Sequence, residues 1–174
     1  MAAYAFGKSK LQSPFPNLEI TGIDQPVLED SKILLGFYET LPKTDGLPRK
    51  RDVDPFTIPR SVLPSCYLLE PADDYSDWTY RLIGTEIVER FRVDRTGQNL
   101  RSFMNESRAQ ALIDASNESA RQRCVRVYRL TPKQTAMEDF YAETMSLPVM
   151  DERNDKVWLF GGTFFGRAVP RDLS

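Results

Sequence analysis

Four prolines, Pro48, Pro55, Pro59 and Pro64, punctuate the stretch LPRKRDVDPFTIPRSVLP and constrain this chain more than any other feature. Proline has no backbone N–H to donate and its ring clashes with the preceding turn. Neither a long helix nor a central strand can therefore run through the stretch, and a single turn over 55–62 is the most regular structure that fits. The chain must complete one helical unit before these prolines and build its sheet after them.

Before the prolines, Pro26 suits a first helical turn, and Leu34, Phe37, Tyr38 and Leu41 recur at i, i+3, i+4 and i+7. This spacing predicts a helix over 27–41, stopped by Pro42 and Gly46. With Leu28, Ile33 and Leu35 added, its apolar stripe is wider than one contact surface needs. The helix is expected to pack both on its own sheet and on another chain, with Leu34, Phe37, Tyr38 and Leu41 as the dimer or partner residues. Residues 1–23 contain Gly7, Pro14, Pro16 and Gly22 without periodicity and read as an irregular leader. The organisation expected is a leader over 1–23, an N-terminal helix within 24–47 and one domain over 48–174.

After the prolines, Ser65–Glu70 is a short apolar strand and Pro71–Asp77 a polar turn. Trp78, Tyr80 and Leu82 alternate with Thr79, Arg81 and Ile83, the pattern of a half-buried strand. Gly84-Thr85 breaks that strand, and Thr85 is placed to N-cap a short helix carrying Ile87, Val88 and Phe91. Gly97 suits a positive-φ turn position. Asn105 is placed to cap a longer helix reaching about Arg123, with Ala109, Leu112, Ile113 and Ala120 inward. Three strands complete the pattern: Cys124–Leu130, Phe140–Met150 and Lys156–Ala168, the last two joined by the polar turn DERND. Five short strands with hairpins at both ends and helices between predict an α+β fold. Its antiparallel sheet takes the order 2-1-5-4-3, with helices on one face and the N-terminal helix flanking.

Composition narrows the chemistry. At 174 residues the chain fits one domain, and its net charge of -2 provides no general attraction to nucleic acid. No apolar run approaches the roughly 20 residues of a membrane span. The first residues lack the apolar core of a signal peptide, so the cytoplasm is the expected location. There is no histidine. That excludes a phospho-accepting histidine, Ser-His-Asp and Cys-His nucleophiles, and histidine-ligated haem or zinc. Cys66 and Cys124 have no CxxC spacing and read as small buried hydrophobes, so no metal site is expected.

The helix ILLGFYETL, the connector LPRKRDVDPFTIP, the strand CYLLE, the step YRLIGTEI and the turn RTGQNL together resemble a PAS domain. More narrowly, they resemble the single-domain PAS-like family found mainly in alphaproteobacteria. The resemblance spans residues 33–100; the three C-terminal strands fit it by order. It implies a sensory or regulatory module that dimerises through its N-terminal helix, passes signals to other proteins and performs no catalysis. It leaves the ligand open, because PAS domains bind haem, flavin, small metabolites or nothing. The sequence departs from the cofactor-bearing branches: histidine-ligated haem is excluded, and the helix at 85–91 lacks the cysteine of cysteinyl-flavin domains. Kinase and GGDEF output domains are missing, so output is expected in trans.

Leu69, Tyr80, Leu82, Phe91, Leu112, Tyr128, Met145, Phe160 and Phe164 are either plain core or the lining of a pocket between sheet and helices. Gly161-Gly162 invite close approach by a backbone, a helix or a ligand. Arg49, Lys50 and Arg51 beside Asp52 and Asp54 form either an internally paired loop or, with Arg81, an anion corner for a nucleotide or an acidic partner. Three functions stay open: a dimeric regulator binding a small metabolite or nucleotide, a ligand-free interaction scaffold, or a cone-fold isomerase using Tyr80, Tyr128 and Glu143.

Overall fold

A computed structural model describes residues 18–132, 140–153 and 155–167. The elements run β1 (Leu18–Ile23), α1 (Glu29–Thr40), β2 (Lys43–Thr44), β3 (Leu47–Pro48), β4 (Cys66–Pro71), β5 (Trp78–Ile83), α2 (Thr85–Phe91), α3 (Leu100–Phe103), α4 (Glu106–Gln122), β6 (Arg126–Pro132), β7 (Phe140–Met150) and β8 (Val157–Arg167). The proline stretch does what its chemistry allows: two short 3-10 turns, Lys50–Asp52 and Leu63–Ser65, with a further turn closed by Thr57 and Ile58 N–H groups on the Asp54 carbonyl.

The fold is α+β, built on one antiparallel sheet in the order β1-β6-β7-β8-β4-β5. Among the described residues it has six strands, not the expected five. The addition comes from the supposed leader, whose residues Leu18–Ile23 pair along β6 with Ile20 opposite Leu130 and Gly22 opposite Tyr128. Residues 1–17 of that leader and the end of the last predicted strand at Ala168 lie outside the described residues. A second correction falls at 43–48, assigned by the sequence to the end of the helical unit. Asp45 and Gly46 both adopt positive φ (53° and 86°) and join the small β2–β3 hairpin, the Asp-Gly turn such pairs favour.

Alternation along β7 and β8 divides the core into two layers. Met145, Leu147, Val149, Phe160 and Phe164 pack against α1 through Leu34 and Tyr38. On the opposite face, Leu159 and Val157 join Leu69, Trp78, Tyr80, Leu100, Ala109 and Ile113 beneath α3 and α4. The flanking helix thus covers one side of the sheet and the later helices the other.

Helix α1 starts without a side-chain cap of its own. A distant group replaces it: the fully buried Glu143 carboxylate of β7 accepts from Val27 N–H (3.0 and 3.1 Å) and Leu28 N–H (3.1 Å). A negative charge there also suits the positive end of the helix dipole. Gly162 lets the helix seat closely, since a Cβ at that position would press on Leu34 and Phe164.

Strand β5 and the start of α2 both depart from the pattern expected from sequence. Pairing passes from Leu68↔Leu82 to Leu69↔Tyr80, which leaves Arg81 as an extra residue on β5. This bulge inverts the side-chain alternation beyond it: Trp78 and Tyr80 point into the α4-side core, Ile83 packs there too, and Leu82 turns away and is exposed. At the following helix, Gly84 occupies the N-cap position and Thr85 is already helical, with no side-chain cap bond. Gly84 is required sterically, because a Cβ there would overlap the Pro64 carbonyl. The expected cap of α4 is present, Asn105 Oδ1 accepting from Arg108 N–H at 3.0 Å.

Candidate functional site

The nine side chains proposed as pocket lining do not share one face. Leu69 and Tyr80 lie in the layer under α3 and α4, and Leu112 packs against it half-buried. Met145, Phe160 and Phe164 belong to the α1 layer. Leu82 is turned out by the bulge, and the Phe91 ring lies tilted, its centroid 6.2 Å from that of Phe165. Tyr128 lies near the β1 edge, packed with Ile20, Leu130 and Ala142.

Aromatic side chains fill the space between the sheet and α3–α4. Tyr67 meets Tyr80 edge-on at 6.2 Å, and Tyr80 meets Phe103 at 6.4 Å. Tyr67 passes over Gly161, whose absent side chain makes room for its ring, and donates to the Met145 carbonyl at 2.6 Å. Burial raises both the Tyr67 and the Tyr80 hydroxyl above the ordinary tyrosine value. Gly161-Gly162 therefore serve close packing on both faces, by a helix on one and a ring on the other.

An opening among the described residues lies at the end of this layer. A groove of about 770 Å³ is bounded by the C-terminal half of α4, the loop before β5 and the β7–β8 hairpin. Ala120, Met150 and Val157 give it an apolar floor, and Tyr75, Asn117, Arg121, Arg123 and Asp155 a polar rim.

The walls are held firmly. Tyr75 occupies a left-handed conformation (φ 57°) that is uncommon for a large side chain. It is fixed by four contacts: its N–H on the Ala72 carbonyl (3.0 Å), its carbonyl accepting from Asn117 Nδ2 (3.0 Å), its hydroxyl accepting from Val157 N–H (2.9 Å), and its ring edge-on to Trp78 at 5.8 Å. Asn117 in turn accepts from Trp78 Nε1 at 2.9 Å, so one side chain ties α4 to both ends of the loop. In the hairpin, Asp151 Oδ1 accepts from Asp155 N–H (3.1 Å) and Lys156 N–H (3.4 Å). Burial pulls the Asp151 carboxyl up, but the bonds it receives hold it below the ordinary carboxylate value.

The charges on the rim are unevenly committed. Asp114 accepts from Gln110 (2.7 Å), and Glu118 accepts from Gln122 (3.1 Å) and Arg126 (3.4 Å). Arg123, in a left-handed C-cap conformation, makes one long contact of 3.4 Å with the Asp45 carbonyl. Arg121 has no hydrogen-bond or ion-pair partner among the described residues. Asp114, Glu118 and Asp155 also line the rim, so it carries charges of both signs, and Arg121 and Arg123 are its cations with little internal partnership.

Sequence reasoning passed over Tyr75, Asn117, Arg121 and Arg123. The first two meet only through tertiary contact, but two arginines at a helix C-terminus were visible as a cationic end. The residues proposed for an anion corner do not assemble. Arg81 is paired with Glu70 across β4–β5, whereas Arg49 lies beside β7, its N–H on Asp52 (3.2 Å) and its guanidinium on the Asp151 carbonyl (3.4 Å). Arg51 is exposed in the connector. The cone-fold trio is divided as well: Glu143 caps α1 on one face of the sheet, while Tyr80 and Tyr128 lie on the other. Of the helix residues proposed for dimer contact, Leu34 and Tyr38 are consumed by the chain's own core, Tyr38 donating to the Pro148 carbonyl at 2.6 Å; Phe37 and Leu41 remain half-exposed.

Among the described residues, no helix is long and apolar enough to cross a membrane. Neither the curated proteins nor the solved structures contain a match to this sequence. A family model described as PAS domain matches residues 29–163, from the first turn of α1 to the middle of β8. That span covers well over half the chain, taking in every element from α1 to β7 and part of β8, and the chain belongs to the PAS domain family.

Proposed function

We propose that this PAS domain is a cytoplasmic sensory or regulatory module that binds a small anionic molecule in the groove between α4, the Tyr75 loop and the β7–β8 hairpin, and passes its output to other proteins in trans. The observation that carries this reading is the rim itself: two arginines with little internal partnership above an apolar floor of Ala120, Met150 and Val157. Such a floor takes the body of a metabolite or nucleotide, and the guanidinium groups take its carboxylate or phosphate. Binding shifts the module between two packings of its helices only as far as the ligand prefers one of them. In this reading the half-exposed Phe37 and Leu41 of α1 complete a homodimer.

The test is thermal unfolding of the protein with a panel of dicarboxylates, nucleoside monophosphates and cyclic nucleotides. A specific ligand at about 100-fold its Kd stabilises by about 2.7 kcal/mol, and Arg121→Gln with Arg123→Asn removes that gain. Unchanged melting with every compound refutes the ligand reading. A constitutive interaction scaffold is the second reading, favoured by the aromatic packing of Tyr67, Tyr80 and Phe103 between sheet and helices.

A further inference from the structure

Among the described residues, no strand pairs with the outer edge of β1. Edge strands are commonly blunted by lysine, proline or a bulge, but from Ile20 to Ile23 β1 has no charge and no proline, and its pairing with β6 runs without a shift. Near its C-terminal end Gly22 is exposed, and a Cβ there would meet nothing within 4 Å.

A groove flanks this edge on each face of the sheet. One, of about 660 Å³, lies against α4, and the other, of about 490 Å³, lies against α1. Both are lined by Gly22 and by Arg126 and Tyr128 of the neighbouring strand. The alternation of β1 matches this arrangement: Ile20 packs into the α4-side layer, Ile23 into the α1-side layer. In each groove two carboxylates outnumber the one cation, Arg126, that lines both. Asp114 and Glu118 stand on the α4 side and Asp24 and Glu39 on the α1 side, against the single guanidinium of Arg126, already engaged by Glu118 and Gln122. No cation is paired with Asp24 or Glu39 among the described residues.

We propose that the outer edge of β1 is a docking site for an extended, basic segment of a partner protein, which adds to the sheet as a further strand and places its alternate Lys or Arg side chains in the two acidic grooves. A strand added beside β1 presents successive side chains to opposite faces, so the two grooves receive alternate residues of one peptide while its backbone bonds to the edge. This deepens the reading of output in trans and rests on it for the partner being a protein.

The probe is a fluorescein-labelled peptide of repeating Lys-Lys-Val, about eight residues long, enough to span the strand at roughly 3.3 Å per residue. Fluorescence anisotropy with the full chain should show saturable binding that weakens with salt, and a Glu-Glu-Val peptide should not bind. N-methylating alternate residues keeps the charge but removes backbone donors, and should weaken binding at least ten-fold. Gly22→Lys, where there is open space for the side chain, should do the same while leaving the circular dichroism and melting temperature unchanged. Glu39→Lys and Asp114→Lys should each weaken it several-fold, one per groove.

Equal affinity for the N-methylated peptide would overturn strand addition and leave a merely electrostatic contact. Lack of binding by the Lys-Lys-Val peptide would overturn the proposal outright, as would a dimer in sedimentation that Gly22→Lys dissolves, since a second copy would then hold the edge. A negative metabolite panel leaves peptide binding untouched, so the two readings fail separately.

Discussion

Replacing Glu143 tests whether a buried charge stabilises this fold or burdens it. The carboxylate is fully buried, and its only described hydrogen bonds are those from Val27 and Leu28 N–H at the start of α1. Arg129 stands directly opposite on β6, on the same face, without forming an ion pair with it among the described residues. Desolvating a carboxylate costs several kcal/mol, so its removal has a favourable side. Against this, Glu143→Ala strands two half-buried N–H groups, at up to about 1–3 kcal/mol each. It also removes a negative charge from a helix N-terminus, about 0.3–2 kcal/mol more.

With contacts this short the second set of terms wins, and Glu143→Ala should lose about 3–5 kcal/mol. Glu143→Gln keeps one carbonyl acceptor and should lose about 1–3 kcal/mol. Urea unfolding monitored by tryptophan fluorescence measures both, with an unchanged m-value as the sign that only stability has moved. Hydrogen exchange should show the Val27, Leu28 and Lys32 amides losing protection first. An alanine variant within about 0.5 kcal/mol of the parent would refute the reasoning, because desolvation relief would then have cancelled the bonds.

Three further outcomes follow from the packing. Gly84→Ala drives a Cβ into the Pro64 carbonyl, where backbone has to move, and should cost about 3 kcal/mol or more in chemical denaturation. Asn105→Ala removes the α4 cap and should cost about 1 kcal/mol by the same assay, concentrated in exchange of the Arg108 amide. Burial pushes the Cys66 thiol up to about 12, so at pH 8 it should resist iodoacetamide in the native protein while half-exposed Cys124 reacts; mass spectrometry should find the second adduct only in denaturant.

Those outcomes depend on features that were unequally visible in the sequence. The proline stretch, the Asn105 cap and the alternation of Trp78 and Tyr80 are short-range signals, each decided by a residue and its near neighbours. The β2–β3 hairpin was equally local, since Asp45-Gly46 is a strong turn pair, and it was lost to the helix that precedes it. Strand β1 was not local: Gly22 weakens it in isolation, and only pairing along β6 makes Leu18–Ile23 a strand. The bulge at Arg81 is a property of two strands at once, so no reading of β5 alone places Leu82 outside. Likewise the site depends on Asn117 reaching the loop at Tyr75, forty-two positions away along the chain. The Glu143 clasp spans more than a hundred positions, and nothing near Val27 announces it.

The neighbouring glycines of β8 have a mechanical consequence. Side chains usually serve as spacers that let one layer of a protein shift a little before the next is disturbed. At Gly161 and Gly162 β8 has no spacer on either side: Leu34 of α1 approaches its backbone from one face and the ring of Tyr67 from the other. Along this line the clearance between the two layers is set by the main chain itself. Any displacement of α1 across the sheet must therefore move β8, and through Tyr67 the opposite layer, with almost no slack.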